Sequence, residues 1–265
     1  LTAEGGELAM DAVNAGAVDV MSKPGSAFSV ADMSTALVDK IHAAAKARLD
    51  RSGPSADLSA QVTPQPVSLA QRTLTNSVVA IGASTGGTQA IQSVLQGMPR
   101  NSPGMVIVQH MPENFTASFA ARLNELCALE VREARDNDSV VPGTALIAPG
   151  NYHMLLKRSG ARFFVQVKTG PLICRQRPSV EVLFKSTAKA AGRNAVGVIL
   201  TGMGKDGAEG LLAMHRAGAR TIAQDEASSV VFGMPNEAIK LGGVDTVAGL
   251  PRIPQQIINM LGNTQ

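Results

Sequence analysis

Residues Val78–Gly87 read VVAIGASTGG, and this stretch decides how the rest of the chain is folded. Its first half is β-branched and small apolar residues, the composition of a strand buried on both faces. Its second half is a turn in which Gly82, Gly86 and Gly87 permit backbone angles and close approaches that a β-carbon forbids, with one hydroxyl, Ser84, among them. Thr88 to Met98 then places Ile91, Val94, Leu95 and Met98 at helical spacing and stops at Pro99. A strand that ends in a glycine turn and reopens as a helix exposes the turn's side chain beside the free amides of a helix N-terminus. The letters fit G-x-S-x-G, a nucleophile elbow, and also a loose phosphate-binding loop.

Working outward, the same grammar repeats. Met105–Val108 reads as a second buried strand delivering Gln109, His110, Met111 and Pro112, and Phe115–Leu126 is helical. Ala195–Leu200, AVGVIL, is a third buried strand; it empties into Thr201–Gly207, TGMGKDG, and a helix through Ala217. Thr221–Gln224 gives a short strand, Asn236–Leu241 a short helix and Arg252–Leu261 a terminal helix. This alternation predicts an α/β fold with a mostly parallel, doubly wound, Rossmann-like sheet covered on both faces. Between its halves lie four short strand-like runs, Leu129–Ala134, Thr144–Ala148, Tyr152–Lys157 and Arg162–Val167, separated by Asp136-Asn137, Pro149-Gly150 and Ser159-Gly160. Those turn signals predict antiparallel hairpins inserted into the sheet or added at its edge. Pro178–Ala191 follows as a helix with Ser179 and Glu181 near its start.

Upstream, residues 1–47 read as helix (Ala3–Asn14, ended by Gly16), short strand (Ala17–Met21), a Lys23-Pro24 turn, and helix (Phe28–Leu49). Residues 48–75 turn rich in Pro, Ser, Gln and Thr, with Pro54, Pro64 and Pro66 breaking any periodicity, and read as a flexible linker. Residues 76–265 form the third unit. One strand cannot close a sheet by itself, so the first unit is expected to pack loosely, against the third or against nothing.

Composition excludes several classes. Only 3% of residues are aromatic, with no tryptophan, so stacking platforms for bases are not expected. The 24 basic and 21 acidic residues are scattered, and no helix carries a basic stripe, which argues against nucleic acid. No apolar run approaches the roughly 20 residues that span a bilayer. Cys127 and Cys174 lie far apart without a CxxC pattern and read as two buried thiols of a cytoplasmic protein.

Three predicted parallel strands end in Ser84, His110 and Asp206. Strand ends of one sheet share a rim, so residues distant in sequence can converge there. A serine hydroxyl becomes a nucleophile when an imidazole takes its proton and a carboxylate orients that imidazole, and this chain supplies one candidate for each role. The order Ser, His, Asp differs from the α/β-hydrolase order, so the arrangement is not an α/β-hydrolase. Each residue also has a plainer reading: a turn serine, a strand-end histidine, and an acid complementing a helix dipole. Of the other histidines, His153 is read as structural.

The segments IGASTGG, VIVQHMP, APGNYHMLL, RPSVEVLF, VILTGMGKDGAEGL and QDEASSVVFGMPNEAI together resemble the catalytic domain of the chemotaxis receptor methylesterases, from Asn76 to the C-terminus. The strand, Lys23-Pro24 and helix before the linker resemble the C-terminal end of a response-regulator receiver domain. The resemblance implies Ser84 as nucleophile, His110 as general base and Asp206 as orienting carboxylate, with the backbone amides of Thr85 and Met203 as the oxyanion hole. It implies hydrolysis of glutamate γ-methyl esters on chemotaxis receptors with release of methanol, deamidation of receptor glutamines, and no metal or organic cofactor. It also implies a two-component pathway whose histidine kinase phosphorylates the full-length protein; the phosphoacceptor region is absent from this sequence, so switching by phosphoryl donors is not expected. The rival is a nucleotide- or dinucleotide-binding module using the Gly82–Gly87 loop. It predicts an acidic residue at the end of the next strand, where Gln109 and His110 stand instead.

Overall fold

A computed structural model describes residues 12, 15–21, 37–38, 40–45, 47, 76–113 and 115–262. The Lys23-Pro24 turn and the linker at 48–75 lie outside the described residues.

Seven strands form one parallel sheet: β1 (Val78–Ala83), β2 (Gly104–Gln109), β3 (Glu130–Glu133), β4 (Thr144–Ile147), β7 (Ala195–Ile199), β8 (Arg220–Gln224) and β9 (Thr246–Ala248). Their order is β3-β4-β2-β1-β7-β8-β9, so the chain runs from β1 to β2, on to the edge strand β3 and back to β4 between them, then returns to β7 and winds outward on the other side. The reversal falls between β1 and β7, where a doubly wound sheet leaves a crevice at its carboxyl edge. A separate antiparallel hairpin, β5 (His153–Ser159) with β6 (Arg162–Lys168), packs on the sheet.

Both faces are covered because the central strands have no polar side. Every residue of β1 and β2 is buried, and alternate residues of β1 enter two different cores. Val79 and Ile81 pack with α1 (Gly87–Gln96), α2 (Phe115–Leu126) and α6 (Ile253–Gly262). Val78 and Ala80 pack with α3 (Val180–Ala191), α4 (Ala208–Arg216), α5 (Met234–Lys240) and the hairpin. Burying a branched aliphatic side chain contributes about 1.5–3 kcal/mol, so this nearly unaromatic sequence builds its core by number. Among the described residues, no helix is long and apolar enough to cross a membrane.

Three expectations need correction. Residues 129–134 and 144–148 do not form a hairpin: β3 and β4 pair parallel to each other, and β4 pairs parallel to β2. The turn at Asp136-Asn137 is real, with Asn137 at φ 67. The residues after it pair instead with the distant β6: the Asn137 amide donates to Val165 O (2.8 Å) and the Val140 amide to Phe163 O (2.9 Å). A local turn signal identifies a reversal but not the strand on its far side. Second, residues 17–21 are not a strand. Their alternation finds no ladder among the described residues; Val20 packs partly buried against the α1 face, and Asp19 turns to side-chain partners, Lys40 and Thr85. Third, Cys174 is exposed rather than buried, on a tight turn at φ 51, and Cys127 is half-buried; both are free.

Candidate active site

Ser84, His110 and Asp206 follow β1, β2 and β7, and the ladder runs on past the strands to fix all three turns. The Ser84 amide donates to Thr201 O (3.0 Å), and the His110 amide to Ala83 O (3.2 Å). Gly86, at φ 77, turns the chain into α1 immediately behind the serine, and a β-carbon there would lie 2.6 Å from the side chain of Val230. Ser84 and His110 line one small cleft, and Val18, Asp19 and Val20 line it with them. Sequence reasoning singled out the three residues and their rim; the wall contributed by residues 18–20 carried no signal in the local sequence.

His110 and Asp206 are joined, His110 Nε2 to Asp206 Oδ2 at 2.8 Å, and both side chains are nearly buried. With the carboxylate as acceptor, Nε2 carries the proton. The other ring nitrogen, Nδ1, is buried and has no hydrogen-bond partner among the described residues. It is therefore a free lone pair, the atom that could take a hydroxyl proton.

Asp206 is seated on the N-terminus of α3. Oδ1 accepts from Ser179 Oγ (2.8 Å) and the Glu181 amide (3.0 Å), and Oδ2 accepts from the Val180 amide (2.8 Å) as well as from His110. Burial pushes this carboxyl up, but the His110 hydrogen bond and charge, with those of Ser179 and the Glu181 amide, outweigh it and hold Asp206 below the usual carboxylate range. Ser179 occupies the helix's cap position yet makes no cap bond, because its hydroxyl faces Asp206. The acid caps the helix from outside, and the helix dipole favours its negative charge. Ser179 was legible in the sequence only as a helix start. Burial, and then the charges of Asp206 and Glu181, push the nearby Cys174 thiol up, which keeps it protonated.

The Thr85 amide lies in the turn beside Ser84, and the Met203 amide in the TGMG turn. Among the described residues neither has an acceptor. Thr201 ties the two turns together: its carbonyl accepts from Ser84, and its hydroxyl donates to Thr85 O (3.0 Å) and accepts from the Val231 amide (3.0 Å). Gln224, buried at the end of β8, accepts the Thr201 amide at 2.8 Å. Thr201 and Gln224 are supporting residues that sequence reasoning missed, since a buried polar residue at a strand end has no periodic signature. His153 donates to or accepts from no catalytic group; its Nε2 meets Pro171 O at 2.8 Å, which agrees with a structural role.

Comparison with known proteins identifies the family and the fold. The family model described as CheB methylesterase matches residues 79–257. The chain is 58% identical to protein-glutamate methylesterase/protein-glutamine glutaminase 2 of Syntrophus aciditrophicus, over 98% of this chain and 76% of that protein. It is 53% identical to the protein of the same name from Rhizobium johnstonii, over 97% and 75%. The crystal structure of the Thermotoga maritima CheB methylesterase catalytic domain superposes with a TM-score of 0.68 at 38% identity, covering 70% of this chain and 98% of that one.

Proposed function

The chain belongs to the CheB methylesterase family, a hydrolase family, and from that premise we propose that Ser84, His110 and Asp206 hydrolyse the γ-methyl esters of chemotaxis-receptor glutamates. The observation that carries this reading is the Asp206–His110 pair at 2.8 Å, which leaves Nδ1 of His110 as a free buried lone pair on the cleft it shares with Ser84.

The chemistry follows from those parts. Nδ1 takes the Ser84 proton as Oγ bonds to the ester carbonyl carbon, and the carbonyl π pair moves onto oxygen. The amides of Thr85 and Met203 hold that oxyanion. His110 returns its proton to the methoxy oxygen as the C–O bond breaks, and methanol leaves. Water, deprotonated by the same nitrogen, then bonds to the acyl carbon, and as the acyl–Oγ bond breaks His110 gives that proton to Oγ, which restores Ser84 and leaves the glutamate carboxylate on the receptor. With a glutamine side chain the same steps release ammonia, the glutaminase reaction named for the relatives. Asp206, kept ionised on the α3 amides, offsets the imidazolium charge in both halves. Removing one oxyanion donor from such a site costs about 10²–10³ in rate.

We read residues 1–47 as the end of a receiver domain and 48–75 as its linker. On that reading the enzyme acts in the cytoplasm, and a chemotaxis histidine kinase is the partner of the full-length family member. The test of the catalytic reading is methanol release from membranes carrying methylated receptors. The Ser84→Ala chain should release none while keeping its circular dichroism spectrum; retained activity would sink the nucleophile assignment.

A further inference from the structure

The two proposed oxyanion donors share an arrangement that assigns a role to a residue outside the triad. A trans peptide is planar, and its C=O and N–H point in opposite directions. The Thr85 N–H belongs to the peptide whose carbonyl is Ser84 O, and the Met203 N–H to the peptide whose carbonyl is Gly202 O. Each carbonyl is held from behind by two donors. Gly202 O accepts from the amides of Gly233 (3.0 Å) and Met234 (2.8 Å), at the start of α5. Ser84 O accepts from the Gly87 amide (2.7 Å) and from Gln109 Nε2 (2.9 Å). Of these four donors, only that of Gln109 is a side chain.

We infer that Gln109 is a positioning residue for the oxyanion hole: by gripping Ser84 O it aims the Thr85 N–H at the reacting carbonyl. Gln109 is the last residue of β2 and is 4% exposed. Its amide orientation is forced, because Nε2 also meets His110 O at 3.3 Å, and an oxygen in its place would face two carbonyl oxygens. Its own Oε1 is left buried without a partner among the described residues. A β-carbon at position 87 would lie 2.1 Å from that oxygen, so Gly87 makes room for the glutamine. An unpaired buried acceptor costs stability, and what this one accompanies is a fixed peptide plane. A second donor on Ser84 O also polarises that peptide, which makes its N–H a stronger donor. Gln109 thereby orients the donor at 85, and through His110 O it steadies the residue that carries the base.

This inference rests on the esterase reading above, and the experiment separates the two. Gln109→Met keeps the side chain's length and removes both polar atoms. Gln109→Glu keeps the shape and, assayed on the alkaline side where the carboxyl is ionised, sets an acceptor against Ser84 O. Both are compared with the unaltered chain for methanol release from methylated receptor membranes, after circular dichroism has established folding at the assay temperature. The expected result is a kcat lower by about 10- to 100-fold with KM little changed, and an equal loss in the rate at which a phosphonate ester labels Ser84, since that reaction builds charge on the same oxygen. A kcat within twofold of the unaltered chain, or an effect confined to KM, would overturn the role of Gln109 and leave the triad standing. If Gln109→Met does not fold, the shape-conserving Glu variant decides alone. Failure of the unaltered chain to release methanol would instead overturn the esterase reading.

Discussion

The turn after β1 (83–87, ASTGG) and the turn after β7 (201–207, TGMGKDG) each close a central strand, pass through glycines in the left-handed region and open a helix. Gly86 stands at φ 77 in the first, Gly204 and Gly207 at φ 88 and 92 in the second. They differ in what holds the peptide that follows each strand end, Ser84–Thr85 in the first and Gly202–Met203 in the second. The first takes a grip from a side chain, Gln109, on the adjacent strand. The second is gripped at Gly202 O through the first amides of α5, and it sends the Asp206 side chain away to the amides of α3. The Ser84 carbonyl can thus be released by changing one side chain, whereas the Gly202 carbonyl is gripped by backbone amides alone and yields only when the packing of α5 is disturbed.

The largest effect that would test this contrast is at Asp206. Asp206→Asn keeps the shape but places an NH₂ group among the donors of Ser179, Val180 and Glu181. By analogy with other serine triads kcat should fall about 10⁴-fold, read by methanol release. A loss under tenfold would mean that the acid serves α3 more than His110. Next is Gly202→Ala. Its added methyl carbon would lie 2.4 Å from Met234 Sδ and 2.7 Å from Ser84 Cβ. The expected outcome is both a stability loss of about 1–3 kcal/mol by urea titration and a displaced nucleophile with kcat down about 10²-fold. If only stability changes, the two turns are less coupled than their contacts imply.

Thr201→Val probes the joint itself. It removes a hydroxyl that meets Thr85 O and the Val231 amide, leaving buried groups unpaired, so stability should drop by about 1–3 kcal/mol. Thr201→Ser should restore most of it in the same titration. The smallest effect concerns acid stability. Because the native carboxyl of Asp206 lies below its ordinary value of about 3.9, its contribution is complete above that pH. It is lost as pH falls from there through the lowered native value. Acid-unfolding curves of the unaltered chain and Asp206→Asn should therefore keep a constant gap above pH ~4 and draw together as the pH falls below it.

The strands β1, β2 and β7, the helices that follow them and the placing of Ser84, His110 and Asp206 at one rim were legible because each rests on a short-range signal: a run of branched residues, a glycine turn, an apolar period. The same reasoning stopped at the partners of each strand. The run at 17–21 has the composition of a strand and pairs with no strand among the described residues, while 130–133, which is short and half-exposed, becomes one because β4 lies alongside.

What the sequence by itself determined is therefore local: a doubly wound α/β core, a glycine turn with one hydroxyl at 82–87, and a serine, a histidine and an aspartate just past three strand ends. What only the tertiary structure decided is relational. Asp206 lies 26 residues from Val180, Gln109 lies 25 from Ser84 and Thr201 lies 116 from Thr85, and each pair is bonded. A hydrogen bond between groups so far apart depends on which strands are neighbours and in what register. No residue carries that information until the sheet has closed around it.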